Sequence, residues 1–414
     1  MSSATAAPPP ATQHPGLGFR EFVALIAAMM AANALAIDSM LPALPAIGAS
    51  LGLADENQRQ WIITAYLLGF GVAQIVYGPL SDRYGRKPVL VVALGFYAAI
   101  GLAVALADSF TMLIVGRALQ GVAAAATRIM AVSIVRDCYS GRTMARVMSL
   151  TVIVFLAVPI LAPSLGQLIL LVAPWRAIFL FLALFGLVTF VWAIVRLPET
   201  LHPEYRRPIA VATLAAAFRR VVTTRTAIGY TLTQSAVMGA MFGFINSVQQ
   251  LFYDTFRAPG LLAPVFAGVA GTMAVASLVN SRIVERLGTR RVSHSALLAF
   301  VLVASIHFAV AVTGHETLWT FAVLQACTMG CFGLAMGNFG AMAMEPLGDM
   351  AGMASSIQGF LTTVIGSLTG LMIGQHFDGT TVPLTAGFFC AGLVALALVL
   401  VTERGRLFRP QVGR

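Results

Sequence analysis

Charge is what this chain lacks. Aspartate, glutamate, lysine and arginine make up 10% of its 414 residues, against 58% hydrophobic ones. So little polar surface cannot cover the apolar mass of a water-soluble globule, and the chain must sit in lipid. Cysteine is scarce as well. Cys138, Cys327, Cys331 and Cys390 have no framework spacing, which excludes a disulfide scaffold and leaves them as small packing residues. His202, His294, His307, His315 and His376 are scattered, and no loop carries paired acids or a metal-ligand cluster. A membrane-embedded enzyme would have no catalytic constellation to work with, and we expect no enzymatic activity and no metal. Residues 1–18, rich in Ala, Pro, Ser and Thr, lack a basic segment before a short apolar core and read as a disordered tail.

What the chain does have is long apolar runs. Crossing the hydrocarbon layer takes roughly 20 apolar residues in a helix. Such runs cover 20–41, 60–78, 88–107, 110–135, 145–172 and 176–195, then 226–253, 262–282, 292–313, 318–344, 351–375 and 382–401. The expected fold is an all-α membrane protein of twelve spans. It divides into two six-helix bundles (19–196 and 226–403) joined by a linker at 197–225 and followed by a short tail at 404–414.

The net charge of +10 does not point to nucleic acid, because the basic residues are spread over short loops rather than gathered on one face. They report topology instead. With Met1 inside, 21 of the 26 Lys and Arg fall on cytoplasmic loops, tails or helix ends; Arg59, Arg176 and Arg257 lie outside, and Arg117 and Arg128 within a span. Both termini are therefore expected in the cytoplasm. The partners expected are the lipid bilayer and a small-molecule substrate, with the chain acting as a monomer.

The segment Gly78-Pro-Leu-Ser-Asp-Arg-Tyr-Gly-Arg-Lys87 joins the second and third spans as a tight basic turn. Gly85 suits a backbone conformation closed to other residues. Asp82 can face a helix N-terminus or pair with a nearby Arg. A fainter copy, Glu285-Arg-Leu-Gly-Thr-Arg290, recurs 203 residues later between the second and third spans of the other half. Duplication of a six-helix unit would leave such an echo. Asp137, at the inner end of the fourth span, is placed to meet Arg86 and latch this face.

Within the spans, ionisable groups are costly and mark function. Arg117, in Gly116-Arg-Ala-Leu-Gln-Gly121, and Arg128, eleven residues on, return to roughly the same helical face. That stripe lines a central cavity, unless Arg128 reaches the cytoplasmic surface instead. Asp38, near the outer end of the first span, lies at a depth similar to Arg117 and could meet it. A carboxylate in such a site can trade a proton for a cation, with the proton gradient as energy source and no other cofactor. Asp38 is the first candidate for proton coupling, with Glu345 and Asp254 next. Asn33, Tyr66, Gln74 and Gln120 in the first half, and Gln234, Asn246 and Gln249 beside Gln250 and Tyr253 in the second, suit either a substrate pocket or interhelical hydrogen bonds. Pro159, Pro163 and Gly166 predict a bent, tightly packed fifth span. Gly366, Gly370 and Gly374 give the eleventh a smooth face for a neighbour.

These stretches resemble motifs of the major facilitator superfamily: the 78–87 turn its gating motif A, the 116–121 stretch its motif B, and 158–167 its antiporter motif C, here with Ala162-Pro163 in place of glycine-proline. Asp38-Ser-Met-Leu-Pro-Ala-Leu-Pro45, Trp61 to Leu90, Ile134-Val-Arg-Asp137, Ala162-Pro-Ser-Leu-Gly166 and Leu197-Pro-Glu-Thr-Leu201 together resemble its Bcr/CflA drug-resistance branch. The likeness is dense in the first half and thins to Met344-Glu-Pro-Leu347 and Ala354-Ser-Ser356 in the second. It implies export of drugs across a bacterial inner membrane in exchange for protons, by alternating access. A facilitator-fold carrier of a specific sugar, amino acid or organic acid is the alternative. Such a carrier calls for a pocket with several fixed charges, and few are on offer. A channel fits less well, since two related halves already make a complete transporter.

Overall fold

The computed structural model describes residues 16–206, 208 and 211–408. Most of the expected N-terminal tail, Arg207, and residues 409–414 lie outside the described residues. The helices are α1 (Phe19–Asp38), α2 (Leu44–Ser50), α3 (Gln60–Tyr84), α4 (Arg86–Ala105), α5 (Phe110–Cys138), α6 (Gly141–Val172) and α7 (Arg176–Arg196). There follow α8 (Val211–Thr223), α9 (Arg225–Gln250), α10 (Leu262–Leu287), α11 (Thr289–Val312), α12 (Leu318–Met344), α13 (Ala351–Gln375) and α14 (Val382–Thr402). All but α2 and α8 are the expected spans, and the protein is an all-α membrane protein. Valines and leucines such as Val92, Leu171, Val195, Leu302 and Val401 stand exposed on the outer surface, where lipid tails meet them.

Three details differ from expectation. The basic turn at 78–87 is barely a loop: Asp82 and Arg83 close the last turn of α3, Arg86 and Lys87 open α4, and only Gly85 separates them. Gly85 has φ +104°, and its counterpart Gly288 between α10 and α11 has φ +83°, the left-handed region where a side chain is strained. Helix continues past the apolar run because its charged end turns still satisfy their own backbone hydrogen bonds. Second, α12 and α13 are separated only by a 3₁₀ turn, Glu345–Met350, broken at Leu347 (φ −122°, ψ 24°). Third, the linker contains α8, whose Ala217 and Val221 are buried at the feet of α9 and α13 while Arg219 and Arg220 face out, with Arg220 2.5 Å from Asp349.

Each half repeats one pairing scheme. Its first long helix packs on its fifth, its second on its fourth and its third on its sixth: α1–α6, α3–α5 and α4–α7 in one half, α9–α13, α10–α12 and α11–α14 in the other. The α3–α5 seam depends on two glycines, because a Cβ at Gly69 would strike the carbonyl of Ala118 and one at Gly121 the carbonyl of Tyr66. Gly370 similarly lets α13 approach the Phe242–Gly243 backbone of α9. Between halves, α3 lies along α13 and α6 along α10. α6 runs unbroken through Pro159 and Pro163. Its buried residues are Val147 and Thr151 near its start and Ala162, Pro163 and Gly166 further on, where a Cβ at Gly166 would strike the carbonyl of Ser39; much of the rest is exposed or half-buried. The expected tight packing of the fifth span is therefore seen at these positions and not along its whole length. Of the cysteines, Cys138 is buried, whereas Cys327 and Cys390 are exposed, so packing does not describe the latter two.

A candidate substrate cavity and its two gates

Between the halves lies a cavity of about 320 Å³. Its walls are aromatic and thioether: Phe70 and Phe155 from the first half, Phe242, Phe244, Phe266 and Phe332 from the second, with Met30, Met238, Met241, Met273 and Met329 between them. Such walls adapt to varied apolar bodies, because methionine is flexible and polarizable and aromatic faces stack. The polar groups on the lining are Asn33, Asp38, Tyr66, Arg128 and Thr363.

Asp38 is the last residue of α1 and only 4% exposed, and its Oδ1 is buried with no hydrogen-bond partner among the described residues. A buried carboxylate without partners is costly as an anion. It is a group that can hold or release a proton as its surroundings change.

The expected meeting of Asp38 and Arg117 does not occur. Arg117 is fully buried, and its guanidinium donates to the carbonyls of Ile62 (Nε, 3.1 Å) and Ala36 (2.9 Å) and to Gln120 Oε1 (2.6 Å), lying 4.5 Å from the centroid of the Tyr66 ring. It ties α5 to α1 and α3, with carbonyls doing what a carboxylate was expected to do. Arg128, on the same stripe, stands in the cavity, so at one depth the stripe is sealed by neighbouring helices and at the other it is open. Asn33 accepts from Tyr66 Oη (3.0 Å) and donates to Thr127 (3.2 Å), fixing the polar wall.

Of the other residues expected in the pocket, five do not line it. Gln120 is occupied by Arg117, and Gln234 donates to the carbonyl of Met336 and accepts from Gln358 (3.0 Å). Gln74 bridges the halves, donating to Thr363 Oγ1 (3.0 Å). Asn246 donates to Thr64 (3.3 Å) across the halves, and Gln249 is buried at the same level. The polar residues at the far end of α9, unlike Gln234, lie at a seal at the end opposite the termini. There Gln60 donates to Gln250 (2.7 Å) and to the carbonyl of Gly374 (2.8 Å), Gln250 donates to Asn57 (2.7 Å), Gln375 donates to the carbonyl of Asn57 (2.7 Å), and Tyr253 reaches the carbonyl of Pro42 (3.2 Å). Interhelical bonding, the other reading open to these side chains, is what the structure shows for Asn246, Gln250 and Tyr253, whereas both amide atoms of Gln249 are buried without a hydrogen bond among the described residues. Neither Glu345 nor Asp254 borders the cavity.

At the end carrying the termini, Arg86 is the hub. Its guanidinium donates to Asp137 (Nε, 3.0 Å), Asp82 (2.6 Å) and Ser81 (2.6 Å). The structure thus brings Arg86 and Asp137 together, and pairs Asp82 with Arg86. The helix N-terminus falls to Glu199, which accepts from the Arg86 N–H (2.9 Å) and so caps α4 where its dipole favours an anion. Lys87 donates to the carbonyl of Ile194 (2.9 Å). The second half builds the same device: Arg290, at the start of α11, pairs with Glu345 after α12 (3.1 Å) and Glu403 after α14 (3.1 Å), and Tyr230 also donates to Glu403 (2.5 Å).

Comparison with known proteins agrees with this architecture. A family model described as Major Facilitator Superfamily matches residues 24–371. The chain is 31% identical over 365 residues to an uncharacterized MFS-type transporter, YdgK, of Bacillus subtilis (strain 168), covering 87% of this chain and 90% of that one. It is 27% identical over 371 residues to a bicyclomycin resistance protein homolog of Haemophilus influenzae, and 28% identical over 378 residues to the multidrug resistance protein MdtL of Escherichia coli, covering 89% of this chain and 92% of each relative. Among solved structures, a D-xylose-proton symporter superposes with a TM-score of 0.72 at 12% identity, over 94% of this chain and 98% of that one.

Proposed function

Since this chain belongs to the Major Facilitator Superfamily, and is thus a membrane transporter of small molecules, we propose that it exports small, mostly apolar toxic compounds in exchange for protons, by rocking of its two halves about the central cavity. The observation that carries this reading is Asp38: a buried carboxylate with an unpartnered oxygen, opening on a cavity walled by phenylalanine and methionine. A compound that offers Asp38 a cation or a hydrogen-bond donor competes with a proton for the same oxygen, and that competition is sufficient for exchange. The names of the relatives, multidrug and bicyclomycin resistance, support drugs as the cargo. The end bearing both termini faces the cytoplasm of a bacterium, with the protein in the inner membrane. The gradient of protons is the energy source, with no bound cofactor.

The two ionic clusters then act as gates of this end, and the amide seal closes the other. The test is accumulation of a panel of antibiotics and dyes in a drug-sensitive bacterial host, with and without a protonophore. Wild type is expected to keep at least one compound out until the protonophore is added, and Asp38→Asn to keep none out. If no compound is expelled and the protonophore changes nothing, the reading is wrong.

A further inference from the structure

The arginines of this protein differ in how they are satisfied. Arg117 has three acceptors, Arg86 has two carboxylates, Arg290 has Glu345 and Glu403, and Arg196 grips Glu21 with two bonds of 2.8 and 2.9 Å. Arg128 has no hydrogen bond and no ion pair among the described residues, although it stands on a membrane helix. Its side chain is open to the central cavity, and also to a second cavity of about 280 Å³ that adjoins it toward the terminus-bearing end. In that second cavity Arg136 likewise has no ion-pair partner among the described residues, Ser133, Ser355 and Ser356 line it, and its one carboxylate, Asp82, is paired with Arg86. A guanidinium left unpaired at membrane depth is costly, and such groups mark substrate pathways. Asp38 is the other ionisable group of the central cavity. By helix rise it lies on the order of 10 Å deeper than Arg128 and makes no ion pair with it.

We infer that the compounds taken by this cavity carry an acidic group, received as an anion by Arg128 after passage beside Arg136. This rests on the transport reading above and narrows its substrate class to apolar, chiefly aromatic, bodies with a carboxylate, sulfonate or comparable acid at one end. A planar guanidinium fork matches such groups with two parallel bonds. The remainder of the compound fills the phenylalanine and methionine walls. Its far end reaches Asp38, so the group that displaces the proton and the group that binds Arg128 are at opposite ends of one molecule. The cavity is therefore polarised along its depth, with the cation nearer the expected cytoplasmic entrance.

The full chain in phosphatidylcholine nanodiscs provides the test, with empty nanodiscs as background. Two fluorescent probes share one aromatic skeleton: 8-anilinonaphthalene-1-sulfonate has the acid and N-phenyl-1-naphthylamine lacks it. Wild type is expected to bind the sulfonate at least about tenfold tighter than the neutral amine, as a charge-assisted pair implies. Arg128→Gln is expected to lose that preference, leaving binding of the neutral amine within about twofold, and Arg128→Lys to restore part of it. Equal binding of the two probes by wild type, equal loss of both in a folded Arg128→Gln, or no binding of either overturns the inference. Should Arg128→Gln fail to fold, the wild-type preference alone decides. The export reading fails separately: sulfonate binding that depends on Arg128 in a protein that expels nothing would leave the anion site standing and remove drug export.

Discussion

The two halves have the same helix pairing and the same ionic device at the terminus-bearing end, yet they contribute different things to the cavity between them. The first half supplies both of its ionisable groups, Asp38 and Arg128, together with the Asn33–Tyr66 pair. The second half supplies shape: Met238, Met241, Phe242, Phe244, Phe266, Met273 and Phe332, with Thr363 as its one polar lining residue. The two halves thus share the ionic cluster and differ in what they give the pocket. One half carries the charged groups of the cavity and the other its adaptable wall, so on the proposed mechanism coupling and selectivity would vary with little interference.

That division can be broken by mutation. The largest effect on stability is expected from Arg117→Ala, which takes the donor from the Ala36 carbonyl in the last turn of α1 and from Gln120 Oε1 in a dry interior and removes the bond to Ile62, and should cost roughly 3–6 kcal/mol in unfolding measured in nanodiscs. A cost below about 1 kcal/mol would mean that water replaces the guanidinium and that the α1–α3–α5 seam does not depend on it. Next come the two ionic clusters. Arg86→Ala and Arg290→Ala should each destabilise by about 1–3 kcal/mol, because each removes the cation from one largely buried carboxylate, Asp137 or Glu403, and from one half-exposed carboxylate, Asp82 or Glu345. Their effects should add within about 0.5 kcal/mol, since they share no partner. Strong non-additivity in thermal unfolding would show the halves to be one unit at this end. A smaller effect is expected from Phe242→Ala, which should alter the affinity for individual compounds by about 1 kcal/mol through lost aromatic contact while leaving the proton requirement of export unchanged. A change in that requirement would place coupling chemistry in the second half too. The smallest belongs to Arg220→Ala in α8, whose ion pair with Asp349 is solvent-exposed and should contribute less than about 1 kcal/mol.

How much of this was written in the sequence depends on which groups do the work. Twelve spans were legible because hydrocarbon thickness sets helix length, and the Arg86–Asp137 contact because both residues sit at helix ends on one face. Arg117 was misassigned for a physical reason. Its partners are carbonyls of Ile62 and Ala36, and the letters of a sequence do not say which backbone carbonyls a buried side chain will reach. The cavity wall was missed because Phe242 and Met241 are the same letters that face lipid elsewhere, and only the fold turns them inward. Asn246 and Gln250 of α9 lie at the far seal, and Gln234 bonds to α12 and α13 instead of lining the pocket, since one helix passes all of these depths and its sequence does not separate them. The amphipathic α8 could have been found: Leu214, Ala217, Phe218 and Val221 follow the spacing of one helical face within a polar linker.

The central claim is that Asp38 couples transport to protons. Its most direct test uses the purified protein in proteoliposomes and a compound it is found to transport, comparing gradient-driven accumulation with exchange of labelled for unlabelled compound in the absence of a gradient. Exchange needs a folded carrier but no net proton movement. For Asp38→Asn the account predicts that accumulation driven by an imposed proton gradient is lost while exchange persists. Accumulation that survives in Asp38→Asn, driven by the gradient as in wild type, would contradict it.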